Sequence, residues 1–315
     1  MKLTEKVKFA LDECRMLILG AQILLGFQLR AAFEDGFDRL PPHTQLLDAA
    51  GLGLMLCTVA LLIAPGPYHR LVEAGDDSGG FHALATLYGG LALLPFSLGL
   101  GVDVFIATER IAGTPGGLGA GAVAAVLALA FWYAMPELRK RTHGAKERSE
   151  TMRQRHRREQ TPLSQKIDQA LTEGRVILPG AQALLGFQLA IVLTDGFEKL
   201  PGLSQAVHAA SLGFVALSIV LLMAPAAYHR IVFAGEDSPD MYRIGSGFIT
   251  WATVPLACGL SGDAYVVIAK IAGASTGIAC AGAAALLLAA LWYGLPLAAR
   301  WRGRGQGRYE ESAAE

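Results

Sequence analysis

Two aspartates stand in otherwise apolar sequence, and they are the residues best suited to carry chemistry. Asp103 follows Pro95 and Gly99, and Asp263 follows Pro255 and Gly259, each at i, i+4 and i+8. On a helix the three share one face. Proline removes a backbone hydrogen bond and can kink the helix, glycine lets another backbone come close, and the carboxylate then looks into a bundle. A carboxylate so placed can take up a proton or a cation, and acidic residues in or near membrane helices are functional candidates by default. A second reading stays open: at the external end of its helix the carboxylate is solvated by water. Asp35 and Asp195 form a matched pair of external carboxylates in the loops before them.

Two further groups could act together. Glu13 and Arg15, matched by Glu173 and Arg175, sit where apolar sequence begins, and Gln22 and Gln182 follow seven residues later on nearly the same face. With Gln28 and Gln188 they make a polar stripe that serves either as a pathway or as hydrogen-bonding glue between helices, with Gly20, Gly26, Gly180 and Gly186 permitting close approach. His69 and Arg70, matched by His229 and Arg230, follow Ala-Pro and a tyrosine. Tyrosine and arginine are ordinary interfacial anchors, whereas the histidine makes a cytoplasmic ion-pair cluster conceivable. Arg30, Asp48 and Glu109 face Ala190, His208 and Ala269 at the matching places and are weaker candidates. Enzyme chemistry finds no footing, for there is no phosphate-cradling glycine motif and no nucleophile with a matched His and acid. Cys14, Cys57, Cys258 and Cys280 have no counterparts and no metal-ligand spacing, so neither a metal nor a cofactor is expected.

The matching rests on a gap-free internal repeat of 160 residues. Leu24 to Leu29 returns as Leu184 to Leu189, Asp35-Gly36-Phe37 as Asp195-Gly196-Phe197, Tyr68-His69-Arg70 as Tyr228-His229-Arg230, and Trp132-Tyr133 as Trp292-Tyr293. About 50 of 130 aligned positions are identical, enough to set each half beside the other as its comparison.

Hydrophobic residues make up 53% of the chain and charged residues 17%, a balance that points to a membrane. Apolar blocks run from Met16 to Phe33, Leu46 to Ala64, Ala83 to Ile106 and Leu118 to Met135, and again from Val176 to Leu193, Ala206 to Ala227, Ile244 to Ile271 and Ile278 to Leu297. Each suits a helix crossing about 30 Å of hydrocarbon. The expected fold is all-α and polytopic, with eight transmembrane helices as two parallel four-helix repeats. The organisation expected is a first membrane module at 1–136, a basic linker at 137–160, a second module at 161–299 and a tail at 300–315. Lysine and arginine crowd the flanks and linker, so the positive-inside rule puts both termini in the cytoplasm of an inner membrane. No cleavable signal is expected. The basic run from Arg153 to Arg158 suits anionic lipid headgroups better than nucleic acid. Ahead of each first span, Leu3, Val7, Ala10 and Leu11 and their copies form an amphipathic stripe. It is either a helix in the headgroup layer or an extension of the span. Thr161 is the expected N-cap of the second copy, with Pro162 at the first helical position.

The stretch from Glu173 through Pro179-Gly180-Ala181-Gln182 to Leu189, with Ala224-Pro225 and Tyr228-His229-Arg230, resembles the DUF6328 family of small bacterial four-span membrane proteins. The first half departs from that pattern with Leu19 where the second has Pro179. The resemblance implies a tandem fusion of two such units. Because some members carry a sodium:proton antiporter label, it also implies protons or monovalent cations as partners. The alternative is a non-transporting scaffold or stress-associated protein of the bilayer.

Overall fold

The computed structural model describes residues 3–135, 137–138, 158–159, 161–233 and 236–302, apart from the side chains of residues 4, 6, 9, 15, 16, 158 and 159. Most of the expected linker and of the tail therefore lies outside the described residues.

The described chain is helical but for one two-residue pairing. Helix α1 spans Leu3–Ala31 without interruption. Its amphipathic start is thus an extension of the first apolar block, because Leu3, Val7, Ala10 and Leu11 bury against Phe81 and Ala85. Helix α2, Pro42–Ile63, opens with a proline at a position where no backbone donor is needed. The short α3, Pro65–Leu71, continues after Ala64. Strand β1, Asp77–Ser78, pairs antiparallel with β2, Arg158–Glu159. Next comes α4, Gly79–Leu129, whose start is capped by the Ser78 hydroxyl accepting from the Phe81 amide.

The later half follows the same order: α5, Leu163–Ile191; a single turn α6, Asp195–Glu198; α7, Gly202–Ile231; α8, Pro239–Ala272; and α9, Ala274–Ala289. Thr161 is not the N-cap of α5. Pro162 takes that place, and the Thr161 hydroxyl accepts from the Asp77 amide at 3.0 Å, so the β1 turn claims the group that would otherwise cap the helix.

Two glycines set the corners between the third and fourth apolar blocks. Gly113, at φ 75° and ψ 174°, breaks α4 into two legs, and Gly273, at φ 88° and ψ 161°, separates α8 from α9. That region of backbone space is essentially open to glycine alone. Both last legs end in a π-helical turn, Ala130–Ala134 and Ala290–Gly294, which carries the Trp-Tyr pair. By contrast, Pro95 and Pro255 sit within continuous helix.

Interactions recur at the interval of the sequence repeat. Tyr133 donates to the Gly90 carbonyl and Tyr293 to the Thr250 carbonyl. Gln45 caps the carbonyls of Phe37 and Leu40, and Gln205 those of Phe197 and Leu200. Ser238 caps α8 as Ser78 caps α4.

The halves share one core. Helices α1 and α5 pack so closely that a Cβ added at Gly26 would collide with the Phe187 ring and one at Gly180 with the Gln22 side chain. The Trp292 indole donates to the Ala60 carbonyl of the other half at 2.9 Å. Large apolar side chains such as Leu87, Leu91, Phe131, Val220, Trp251 and Leu286 face outward instead. A surface of that kind belongs against hydrocarbon. Among the described residues, six helical stretches are long and apolar enough to cross a membrane by length and composition: Pro42–Leu71, Gly79–Ala134, Leu163–Ile191, Gly202–Ile231, Pro239–Ala272 and Ala274–Arg302.

Candidate functional site

The two aspartates meet the same partner in each half. Gln28 on α1 donates its side-chain amide to Asp103 Oδ1 on α4 at 2.7 Å, and Gln188 on α5 donates to Asp263 Oδ2 on α8, also at 2.7 Å. Asp263 is 3% exposed and Gln188 fully buried, while Asp103 is half-buried and Gln28 is 4% exposed. The helical period explains the match, since α1 and α5 each present the glutamine where the third block passes. A carboxylate held by a neutral amide remains uncompensated in charge, and keeping it ionised away from water is costly unless a cation or proton joins it. Arg110 and Lys270, at i+7, turn elsewhere. Arg110 donates to the Gly36 carbonyl, and Lys270 reaches Asp38 of the other half at 2.6 Å.

A third side chain joins each pair from the second long helix, and here the halves differ. In the first, Asp48 of α2 lies within electrostatic reach of Asp103 and is buried. In the second the same place holds His208 of α7, with Nδ1 4.0 Å from Asp263 Oδ1 and Nε2 3.0 Å from the Gln188 carbonyl. The sequence carried a signal for this, a polar residue inside an apolar block at the same register in both halves. The unlike types gave Asp48 and His208 little weight.

The second constellation lies at the end of the bundle nearer the linker and bridges the halves. Sequence reasoning put Glu13 with His69 and Arg70, but Glu173 of α5 fills that place. Arg70 pairs with Glu173 and donates from Nε to the Thr250 hydroxyl at 2.9 Å. His69 lies between Glu173, 3.6 Å from Nδ1, and Asp77, 3.7 Å from Nε2, with its ring stacked on Phe81. All four are buried. Beside them a groove of about 620 Å³ is lined by Arg70, Tyr242, Thr250, Trp251 and Tyr293. At the matching corner His229 faces Asp237 at 3.8 Å, but Arg230 and Glu13 are exposed.

Other sequence candidates are dispersed. Gln22 is buried against Gly180 with neither end of its amide hydrogen-bonded, whereas Gln182 and Arg175 are exposed. The side chain of Arg15 lies outside the described residues. Asp35 and Asp195 are exposed. Glu109 accepts from Thr44 at 2.6 Å and from Thr114 at 2.8 Å, with His43 at 3.6 Å. Among the described residues no group of three or more His, Cys, Asp or Glu is arranged to hold a metal ion.

A helical bundle with apolar stretches of this length and an apolar exterior defines a multi-pass membrane protein. The chain belongs to the family of unknown function DUF6328, which matches it twice, over residues 2–136 and 149–296. No curated protein and no solved structure matches it.

Proposed function

We propose that this membrane protein is a proton-linked exchanger of monovalent cations, similar in action to a sodium:proton antiporter. In this reading eight helices span the bacterial inner membrane. They are the six apolar stretches, with Gly79–Ala134 divided at Gly113 and Leu3–Ala31 added. Two parallel four-helix repeats follow, a plan that secondary transporters use with their sites near the repeat interface. The termini and basic linker face the cytoplasm, where the linker contacts anionic lipid headgroups. The chain is not an enzyme in this reading, and protons and small cations are its partners.

One observation carries the proposal: the carboxylates Asp103 and Asp263 each accept a hydrogen bond from a glutamine amide of another helix, at 2.7 Å in both halves. Lipid contact for a carboxylate at the helix centre costs about 2.5 to 3.5 kcal/mol on insertion scales. In this reading, facing protein avoids that penalty and keeps each group able to take up and release a proton.

A scaffold reading draws on a different observation, that Arg70–Glu173, Lys270–Asp38 and Trp292–Ala60 all clamp one half to the other. Reconstitution in liposomes decides between them. Exchange predicts that Na+, K+ or Li+ dissipates an imposed proton gradient and that the Asp103→Asn, Asp263→Asn double variant abolishes the signal. A folded wild-type chain silent toward all three ions refutes exchange.

A further inference from the structure

The polar sites of the two halves look alike at Gln28–Asp103 and Gln188–Asp263, yet they balance charge differently. In the second half, Asp263 and His208 face each other with Nδ1 and Oδ1 at 4.0 Å. One proton shared between a carboxylate and an imidazole leaves the pair neutral, whichever of them holds it. Nothing further is required from outside.

In the first half the same proton count leaves a deficit. Asp48 and Asp103 with one proton between them still carry a negative charge, and two carboxylates in one apolar site do not both stay ionised unaided. Among the described residues, neither lies within ion-pair distance of a lysine, arginine or histidine. The geometry adds a ligand set. Gln28 Oε1, Asp103 Oδ2 and Asp48 Oδ2 are buried without hydrogen-bond partners. Gln28 Nε2 is 2.7 Å from Asp103 Oδ1. Oε1 shares a carbon with Nε2, so amide bond lengths of about 1.2 and 1.3 Å place it within about 5 Å of that carboxylate oxygen. Helix α2 closes the site, since a Cβ on Gly51 would stand 3.2 Å from Gln28 Nε2. Asp48 precedes Gly51 by about one turn on the same face, roughly 4.5 Å along the axis. Helices α1, α2 and α4 therefore each bring to this region a buried acceptor oxygen that has no donor of its own. Hard cations take oxygen ligands of this kind.

We infer that the chain has one exchangeable cation site, formed by Asp48, Asp103 and Gln28, and that His208 closes the equivalent place in the second half. The ligand class is a small hard monovalent cation that replaces the second of two protons. The inference rests on the exchange reading for its biological use, but the site stands or falls separately.

The test measures ²²Na+ binding to the full-length chain in detergent, with Li+ as competitor, for wild type, Asp48→His, Asp48→Asn and His208→Asp. Size-exclusion profiles and helical circular dichroism verify that each variant is folded. One Na+ per wild-type chain is expected. Asp48→His and Asp48→Asn each weaken binding about tenfold or more, and His208→Asp adds a second equivalent. A folded wild type that binds neither Na+ nor Li+ overturns the inference, as does Asp48→His that binds like wild type, or His208→Asp without a second equivalent. Liposome flux separates the two proposals. Binding that follows this pattern without flux supports the site and refutes exchange, while flux undiminished in Asp48→His refutes the single site and leaves exchange standing.

Discussion

Glu173→Gln should be among the most damaging single substitutions in this protein, and its counterpart Glu13→Gln among the mildest. Arg70 and Glu173 have side chains 2% and 7% exposed and belong to different halves. Converting the carboxylate to an amide leaves the Arg70 guanidinium with the Thr250 hydroxyl as a neutral partner and His69 facing only Asp77. Removing one member of a buried pair costs about 3 to 5 kcal/mol, because the remaining charge is stranded away from water. Asp77 stays on the far side of His69 and offsets part of this, so the lower end, about 3 kcal/mol, is the expected loss. Glu13 is exposed, and its change should behave as an ordinary surface substitution. Replacing Arg70 and Glu173 together by methionine should restore most of the stability, since apolar side chains of similar volume leave no charge unpaired. The assay is equilibrium unfolding in mixed dodecyl sulfate and mild-detergent micelles, followed by circular dichroism, as a double-mutant cycle. Equal destabilisation by Glu173→Gln and Glu13→Gln would refute this account, and so would a double variant no more stable than the single one.

Two other predictions concern the fold. Gly113→Ala and Gly273→Ala should each cost about 1 to 3 kcal/mol in the same unfolding assay, because their φ and ψ lie in a glycine-only region. A Cβ on Gly273 or on the helical Gly282 meets nothing within 4 Å, so Gly282→Ala isolates the backbone effect and should be neutral or stabilising; parallel losses would contradict it. Topology is checked by single cysteines at position 35 and in the linker, in a chain whose own cysteines are replaced. The two should label from opposite sides of the membrane, and labelling from the same side removes the eight-span arrangement.

Periodicity carried the fold some distance. The length and position of the apolar blocks anticipated the helices, since hydrocarbon thickness fixes how many apolar residues a crossing needs. Asp103 and Asp263 stand out in the sequence as candidates because both copies keep them. Periodicity did not pair them with Gln28 and Gln188, because pairing across 75 residues depends on how α1 rotates against α4, and helix rotation is set by packing rather than by residue type. The corner at Arg70 was misassigned for the same reason. Matched residues suggest contacts within each copy, whereas close approach of α1 and α5 through Gly26 and Gly180 brings Glu173 to the other half's Arg70. Identity between copies was a good guide to shared architecture and a poor one to the places where the copies differ.

Those differences are open to a chain that carries two segments matched by the same family. Thr250 gives Arg70 a hydroxyl acceptor, and its counterpart Gly90 offers none to Arg230, consistent with one corner closed around a buried ion pair and the other open. His208 and Asp48 likewise occupy one register with opposite capacity for charge. In a symmetric homodimer every residue appears twice, so a histidine that neutralises one site neutralises both, and an aspartate that opens one opens both. A covalent pair escapes that constraint. One polar site can then remain short of positive charge while its twin is balanced from within, and the matched glutamines preserve the frame in which that difference acts.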